Sequence, residues 1–176
     1  LDAVWLDCAE FSDGDSMRFW HDAAAALRSR AVSDFADAGE SDGPLSDIRC
    51  RLNDTLAIAQ DFERPTFLVF DDYQKIPRES SIHAEITRFL ALVPPCLHVV
   101  IVSRSFPRIG LSKLRMDESL SELRRDALAF TSLEVRELFA QNGIDARASE
   151  SADVFDLTRG WLAALKLEMK SRASGL

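Results

Sequence analysis

No run in this chain is apolar for long enough to cross a membrane, and no signal peptide opens it. Lysine is scarce. The four lysines, Lys75, Lys113, Lys166 and Lys170, follow none of the seven glycines directly, so there is no G-x-x-x-x-G-K-[ST] phosphate loop. Cysteine is equally thin. Cys8, Cys50 and Cys96 lie far apart, each in or beside an apolar segment, which reads as reduced buried thiols rather than a disulfide frame or a metal site. The three histidines show no metal-ligand spacing: His21 and His83 read as helix-surface residues and His98 as a strand-entry residue. Basic residues are outnumbered, 21 against 29 acids, for a net charge of −8. A segment of that sign does not grip a nucleic-acid backbone by itself. There is no internal repeat and no low-complexity stretch.

What is present suits a soluble globular chain that buries a real core. Hydrophobic residues make up 47% of 176 positions, enough for one domain or one domain with an appendage. The chain begins at Leu1 rather than Met and enters a strand-like run at once, which reads as a piece of a longer protein.

The most telling run is residues 65–74, Pro-Thr-Phe-Leu-Val-Phe-Asp-Asp-Tyr-Gln. Its apolar, β-type part has the composition of a strand buried on both faces, as in parallel sheets. It ends in two adjacent aspartates, Asp71 and Asp72. Carboxylates at the carboxyl end of such a strand lie in the crevice where open α/β sheets bind ligands. They repel one another and call for hydration or a cation; magnesium, held by one or two carboxylates and by substrate phosphates, suits that place. The same residues also compose a strand followed by an Asp-rich turn.

The rest of the chain frames this run. Residues 4–6 read as a short strand and 17–30 as a helix, with Ala23 to Ala26 favouring it and Arg28 and Arg30 suiting its C-terminal dipole. Residues 32–44 read as an acidic loop. Ile48, Leu52, Leu56 and Ala59 recur at helical spacing, so a helix from Leu45 to about Asp61 is expected. After the strand at 67–71, Ile82, Ile86, Phe89, Leu90 and Val93 share one helical face, and Pro94-Pro95 stops that helix. Residues 97–102 form a second apolar strand, closed by Ser103-Arg104-Ser105. Strand, helix and strand with short breaks is a right-handed βαβ unit. Residues 120–123 read as a further short strand. Thr131-Ser132-Leu133-Glu134 is a capping box opening a helix to Gln141, closed by Asn142-Gly143. Helices at 151–157 and 161–170 follow, the last with Leu162, Leu165 and Met169 on one stripe.

Read in order, the chain resembles the nucleotide-binding region of the large ATP-dependent LuxR-type transcriptional activators, the MalT-like group of STAND-class ATPases. The residues that carry the resemblance are Val4-Trp5-Leu6, Asp15 to Trp20, Leu68 to Tyr73 as a Walker B element, Leu92 to Val100, Ser103 to Pro107, Leu123 to Thr131 and Thr158 to Trp161. The resemblance implies an α/β fold: a three-layer, P-loop-NTPase-like parallel sheet over residues 1–128, incomplete because its first strand is missing, then a small helical lid over 129–176. It implies ATP or ADP with magnesium as cofactors of the full-length protein. Asp71 would help hold the metal, Asp72 would orient or activate the attacking water, and Arg104 would sense the terminal phosphate. Gly160, Trp161 and Leu162 would lie beside the nucleotide. Gln74 stands where these proteins often carry His, and Leu162 where Pro is usual in the wider class. The absent phosphate loop would lie upstream of Leu1, so the isolated chain would bind nucleotide poorly and hydrolyse it hardly at all.

These features imply a fragment of the regulatory ATPase module of a cytoplasmic, multidomain transcriptional activator. Effector-binding and DNA-binding domains of the same protein would be its partners, with self-association at a bare sheet edge, and neither nucleic acid nor membrane touching this segment. The alternative is a protein-interaction module that keeps the fold without the chemistry. A phospho-acceptor receiver domain ranks third, because no strand-end Lys follows Ser103.

Overall fold

The fold is that of a computed structural model, which describes residues 2–12, 14–30, 48–144 and 148–173. The expected acidic loop at 32–44 and the start of the next helix at Leu45 lie outside the described residues. Two compact units divide the chain, Leu1–Ser119 and Leu120–Leu176.

The first unit is built on three parallel strands in the order β1-β2-β3: β1 Asp2–Asp7, β2 Thr66–Asp71 and β3 Leu97–Ile101. The register aligns Val4 with Leu68 and Val99, and Leu6 with Phe70 and Ile101. These six residues belong to one apolar cluster with α1 (Ser16–Arg28), α2 (Ile48–Gln60) and α3 (Ile82–Leu90). Buried positions Ser16, Phe19, Trp20, Ala23, Ala24 and Leu27 give α1 a single inward stripe at helical spacing. Phe19 meets Phe70, Trp20 meets Phe89, and Glu85 of α3 accepts hydrogen bonds from Ser16 and from the Trp20 indole, tying α1 to α3. A buried Trp needs that acceptor.

Strand order explains why the helices gather on one side. Right-handed crossovers that step in one direction across a sheet place every connecting helix on the same face. The other face carries Trp5, Val69 and Val100 in register. Val69 is buried by its neighbours, but Trp5 is 63% exposed and Val100 37%. Within the first unit, the helices that connect the strands, α1, α2 and α3, form one layer on the sheet, so these connections do not supply the second helical layer of the expected three-layer form.

Residues 120–123 are not a strand. Leu123 is 75% exposed and the segment carries the surface pair Glu122–Arg124, so there is neither an apolar face nor a neighbouring strand to fix it in a ladder. The outer edge of β3 has no partner strand among the described residues. Two short helices, α4 (Leu111–Met116) and α5 (Arg125–Leu128), were not expected from the sequence. Neither is long enough to show periodicity.

The second unit packs α6 (Ser132–Gln141), α7 (Ala148–Thr158) and α8 (Leu162–Ala173) around buried Val135, Phe139, Val154 and Leu165. The capping box at its start is formed as read: Thr131 Oγ1 accepts from Glu134 N at 3.3 Å, and Glu134 accepts from Thr131 N at 2.8 Å. Leu165 and Met169 of the expected stripe belong to the core cluster, while Leu162 is exposed. Among the described residues, no helix is long and apolar enough to cross a membrane.

Candidate functional site at the carboxyl edge of the sheet

All three strands run the same way, so their carboxyl ends deliver Asp7, then Asp71 and Asp72, then Ser103 and Arg104 to one edge. Asp7 is level with Asp71 in the register. Its carboxylate is spent locally, accepting from Ala9 N at 2.8 Å to cap the short turn Cys8–Glu10.

The acid pair does not simply end β2. Val102 N donates to Phe70 O at 2.9 Å, and Val102 O accepts from Tyr73 N at 3.0 Å. A regular parallel ladder leaves one residue between two such bonds; here there are two, Asp71 and Asp72. The pair is therefore a bulge, a device that re-aims side chains beside functional sites. The extra residue is Asp72, at φ 48° and ψ 37° in the left-handed region that Asp tolerates better than most residues. Asp71 Oδ1 accepts from Asp72 N at 2.8 Å and steadies the turn.

Gln74 joins the pair to the neighbouring strand. Its Nε2 donates to Asp72 Oδ1 at 2.7 Å, and its Oε1 accepts from Arg104 N at 2.9 Å. The structure thus brings Asp71, Asp72 and the Arg104 backbone together through a residue that sequence reasoning noted only as a departure. The Arg104 side chain is exposed and makes no ion pair with either aspartate.

Behind the turn lies a buried pair. Tyr73 Oη meets His83 Nδ1 at 2.7 Å, and His83 Nε2 meets Pro77 O at 3.0 Å. A carbonyl can only accept, so Nε2 carries the proton and Nδ1 accepts from the phenol. His83 is therefore a core residue, not the surface residue its place in the α3 sequence suggested; Tyr73, the only tyrosine, was the signal available. Burial raises the Tyr73 phenol well above its ordinary value, and the nearby Cys8 thiol adds to the rise. Cys8 sits beneath the same edge. Burial, then the negative charges of Asp7, Asp71 and Asp72, push its thiol up to about 12. His21 is exposed on α1, and His98 stands near the start of β3 with its ring 5.0 Å from that of Phe67. Cys8 and Cys96 are free thiols, and the side chain of Cys50 lies outside the described residues.

Among the described residues, no three acids, histidines or cysteines are grouped as a protein cage for a metal ion. The half-buried oxygens of Asp71 and Asp72 instead fit a hard cation that takes one or two carboxylates and completes its shell with water and phosphate oxygens.

Gly160, Trp161 and Leu162 belong to the second unit, at the turn from α7 to α8. Gly160 has φ +69°, and its carbonyl accepts from Phe130 N at 2.9 Å. A Cβ built on it would stand 2.0 Å from Phe130 O. The position requires glycine for close backbone approach, whatever else it does. Trp161 is part-exposed, with the Arg125 guanidinium 5.5 Å from its ring centre.

No protein-family model matches the chain. It is similar to several proteins named HTH-type transcriptional regulator MalT. The Klebsiella pneumoniae protein is 34% identical over 108 residues, which cover 61% of this chain and 12% of the relative. The Vibrio parahaemolyticus protein is 29% identical over 161 residues, 89% of this chain and 18% of the relative. The Cronobacter sakazakii protein is 37% identical over 110 residues, 59% of this chain and 12% of the relative. The chain spans less than a fifth of the length of these relatives.

Proposed function

We propose that this chain is part of the nucleotide-dependent switch of a multidomain, cytoplasmic transcriptional regulator of the MalT-like, STAND-type kind. The observation that carries the reading is the bulged acid pair at the carboxyl end of the central strand, beside the Arg104 end of β3, in a chain 29–37% identical to such regulators. Downstream effector-binding and DNA-binding domains would be the partners to which the switch reports.

In this reading the central strand is a Walker B element. Asp71, at the last position of β2, offers a carboxylate oxygen to magnesium carried in with ATP or ADP. Asp72, turned by the bulge, would orient or activate the attacking water. Arg104, exposed and unpaired with the acids, places its positive charge against the terminal phosphate. By the resemblance, Gly160, Trp161 and Leu162 would be further nucleotide-contacting residues. The phosphate grip comes from a glycine-rich loop with a lysine, which these 176 residues lack, so the isolated chain is expected to be inactive. Binding of ATP to the longer protein by calorimetry, with and without magnesium, tests the reading; failure to bind in either condition overturns it.

The alternative is an interaction module that keeps the fold without the chemistry. The open sheet face with Trp5 and Val100 favours it. It is the reading that a nucleotide-blind full-length protein would support.

A further inference from the structure

We infer that Gln74 is the positioning residue of this edge: one side-chain amide locks the Asp72 carboxylate to the backbone at Arg104. The inference builds on the switch reading for its catalytic consequence but not for its geometry.

Both ends of the amide are engaged, Nε2 on Asp72 Oδ1 at 2.7 Å and Oε1 on Arg104 N at 2.9 Å. The orientation follows from the partners. A carboxylate only accepts and a backbone N–H only donates, so the flipped amide would face each with the wrong group. Few side chains can do this. Glu presents only acceptors and would repel Asp72; Lys presents only donors; Asn is one methylene short. A neutral His, with one nitrogen donating and the other accepting, is the close substitute. The lock has something to hold. Asp72 occupies a left-handed conformation on a bulge, and the end of β3 is bonded to the other side of that bulge through Val102. With Gln74 in place, the carboxylate and the Arg104 segment form one body, so any movement of Arg104 is handed directly to Asp72.

The test uses the full-length protein carrying this segment, with Gln74→Ala, Gln74→Glu and Gln74→His. Hydrogen exchange at the Arg104 amide reads the lock itself and needs no nucleotide. Loss of the hydrogen bond to Arg104 N is expected to speed that exchange roughly fivefold to tenfold in Gln74→Ala, while Gln74→Glu, whose carboxylate still accepts from Arg104 N but repels Asp72, and Gln74→His stay closer to wild type. Turnover with ATP and magnesium reads the consequence. A misplaced Asp72 is expected to lower kcat between about tenfold and a hundredfold in the Ala and Glu variants, with KM changing far less, and His is expected to restore most of it. Unchanged Arg104 exchange in Gln74→Ala overturns the lock. Faster exchange with unchanged kcat overturns its positioning role. Absence of nucleotide binding in the wild type overturns the switch reading instead, and leaves the lock to be judged by exchange alone.

Discussion

Tyr73 and His83 share a buried hydrogen bond of 2.7 Å that fastens the acid turn to the side of α3. The phenol donates, Nδ1 accepts, and the far nitrogen is occupied by Pro77 O. Tyr73→Phe keeps the ring but leaves a nearly buried imidazole nitrogen without its donor. An unsatisfied buried group of this kind costs about 1–3 kcal/mol. Denaturant unfolding of Tyr73→Phe should show a loss in that range at unchanged slope. A loss below a few tenths would mean that water replaces the phenol.

The two aspartates should separate in their effects. In the full-length protein, Asp71→Asn is expected to weaken magnesium-dependent nucleotide binding, since it removes charge from the cation's ligand. Asp72→Asn is expected to leave binding nearly intact and reduce turnover by roughly a hundredfold or more, the scale of a lost acid–base group. Calorimetry and single-turnover hydrolysis distinguish them, and unchanged turnover in Asp72→Asn would contradict its assigned role.

Cys8 supplies a reporter of the same edge. Its folded thiol ionises near 12 against an ordinary value of 9.0. A thiol whose value is raised by folding adds stability that is fully present below 9.0 and is lost as pH rises from there toward about 12. At pH 8 Cys8 should therefore resist thiol reagents, while half-buried Cys96 labels before it, read site by site in mass spectrometry. Asp71→Asn or Asp72→Asn removes one of the raising charges and should speed labelling of Cys8.

The central strand, the α3 stripe and the capping box were legible in the sequence because each is a local pattern: an unbroken apolar run, a helical period, and a Thr–Glu pair at fixed spacing. The bulge was not. It depends on which carbonyl Val102 finds across the ladder, and nothing between residues 70 and 73 signals an extra residue. His83 was misplaced for a related reason. Its helix position allowed either face, and the deciding partner is a phenol ten residues away on another element. Residues 120–123 show the opposite error. Two leucines three positions apart look like a short apolar strand, but pairing needs a neighbour and a buried face, and the segment has neither among the described residues. Gln74 was visible only as an unusual letter, and its role appears once the two strand ends are seen side by side.

The capping box makes an acid-side prediction. Hydrogen bonds from the Thr131 backbone, then its side chain, hold the Glu134 carboxyl below its ordinary value of 4.5. A carboxyl lowered by folding adds stability that is present above 4.5 and is lost as pH falls through the folded value. Far-ultraviolet dichroism of the second unit should begin to lose helix in that window. Glu134→Ala should abolish this step while lowering helicity at neutral pH.

Gly160 offers the sharpest test of the second unit, because Gly143 provides its control. Both adopt left-handed backbone, φ +69° and φ +72°. A Cβ at Gly143 meets nothing within 4 Å, so Gly143→Ala bears only the conformational cost, about 1–2 kcal/mol. A Cβ at Gly160 would lie 2.0 Å from Phe130 O, 2.9 Å from Phe130 N and 3.0 Å from Phe130 C. These are backbone atoms and cannot rotate away. Relief requires the two chains to part, which also breaks the bond from Phe130 N to Gly160 O. Gly160→Ala should therefore cost the conformational term, about 1 kcal/mol for the lost hydrogen bond, and further packing around Phe130. A unit this small has little stability to spare. Limited proteolysis across residues 120–173 should find Gly143→Ala moderately more sensitive than wild type and Gly160→Ala cut far more readily than either. Equal protection of the two variants would show that the Phe130 segment yields at no cost, and that close backbone approach is not what requires glycine there.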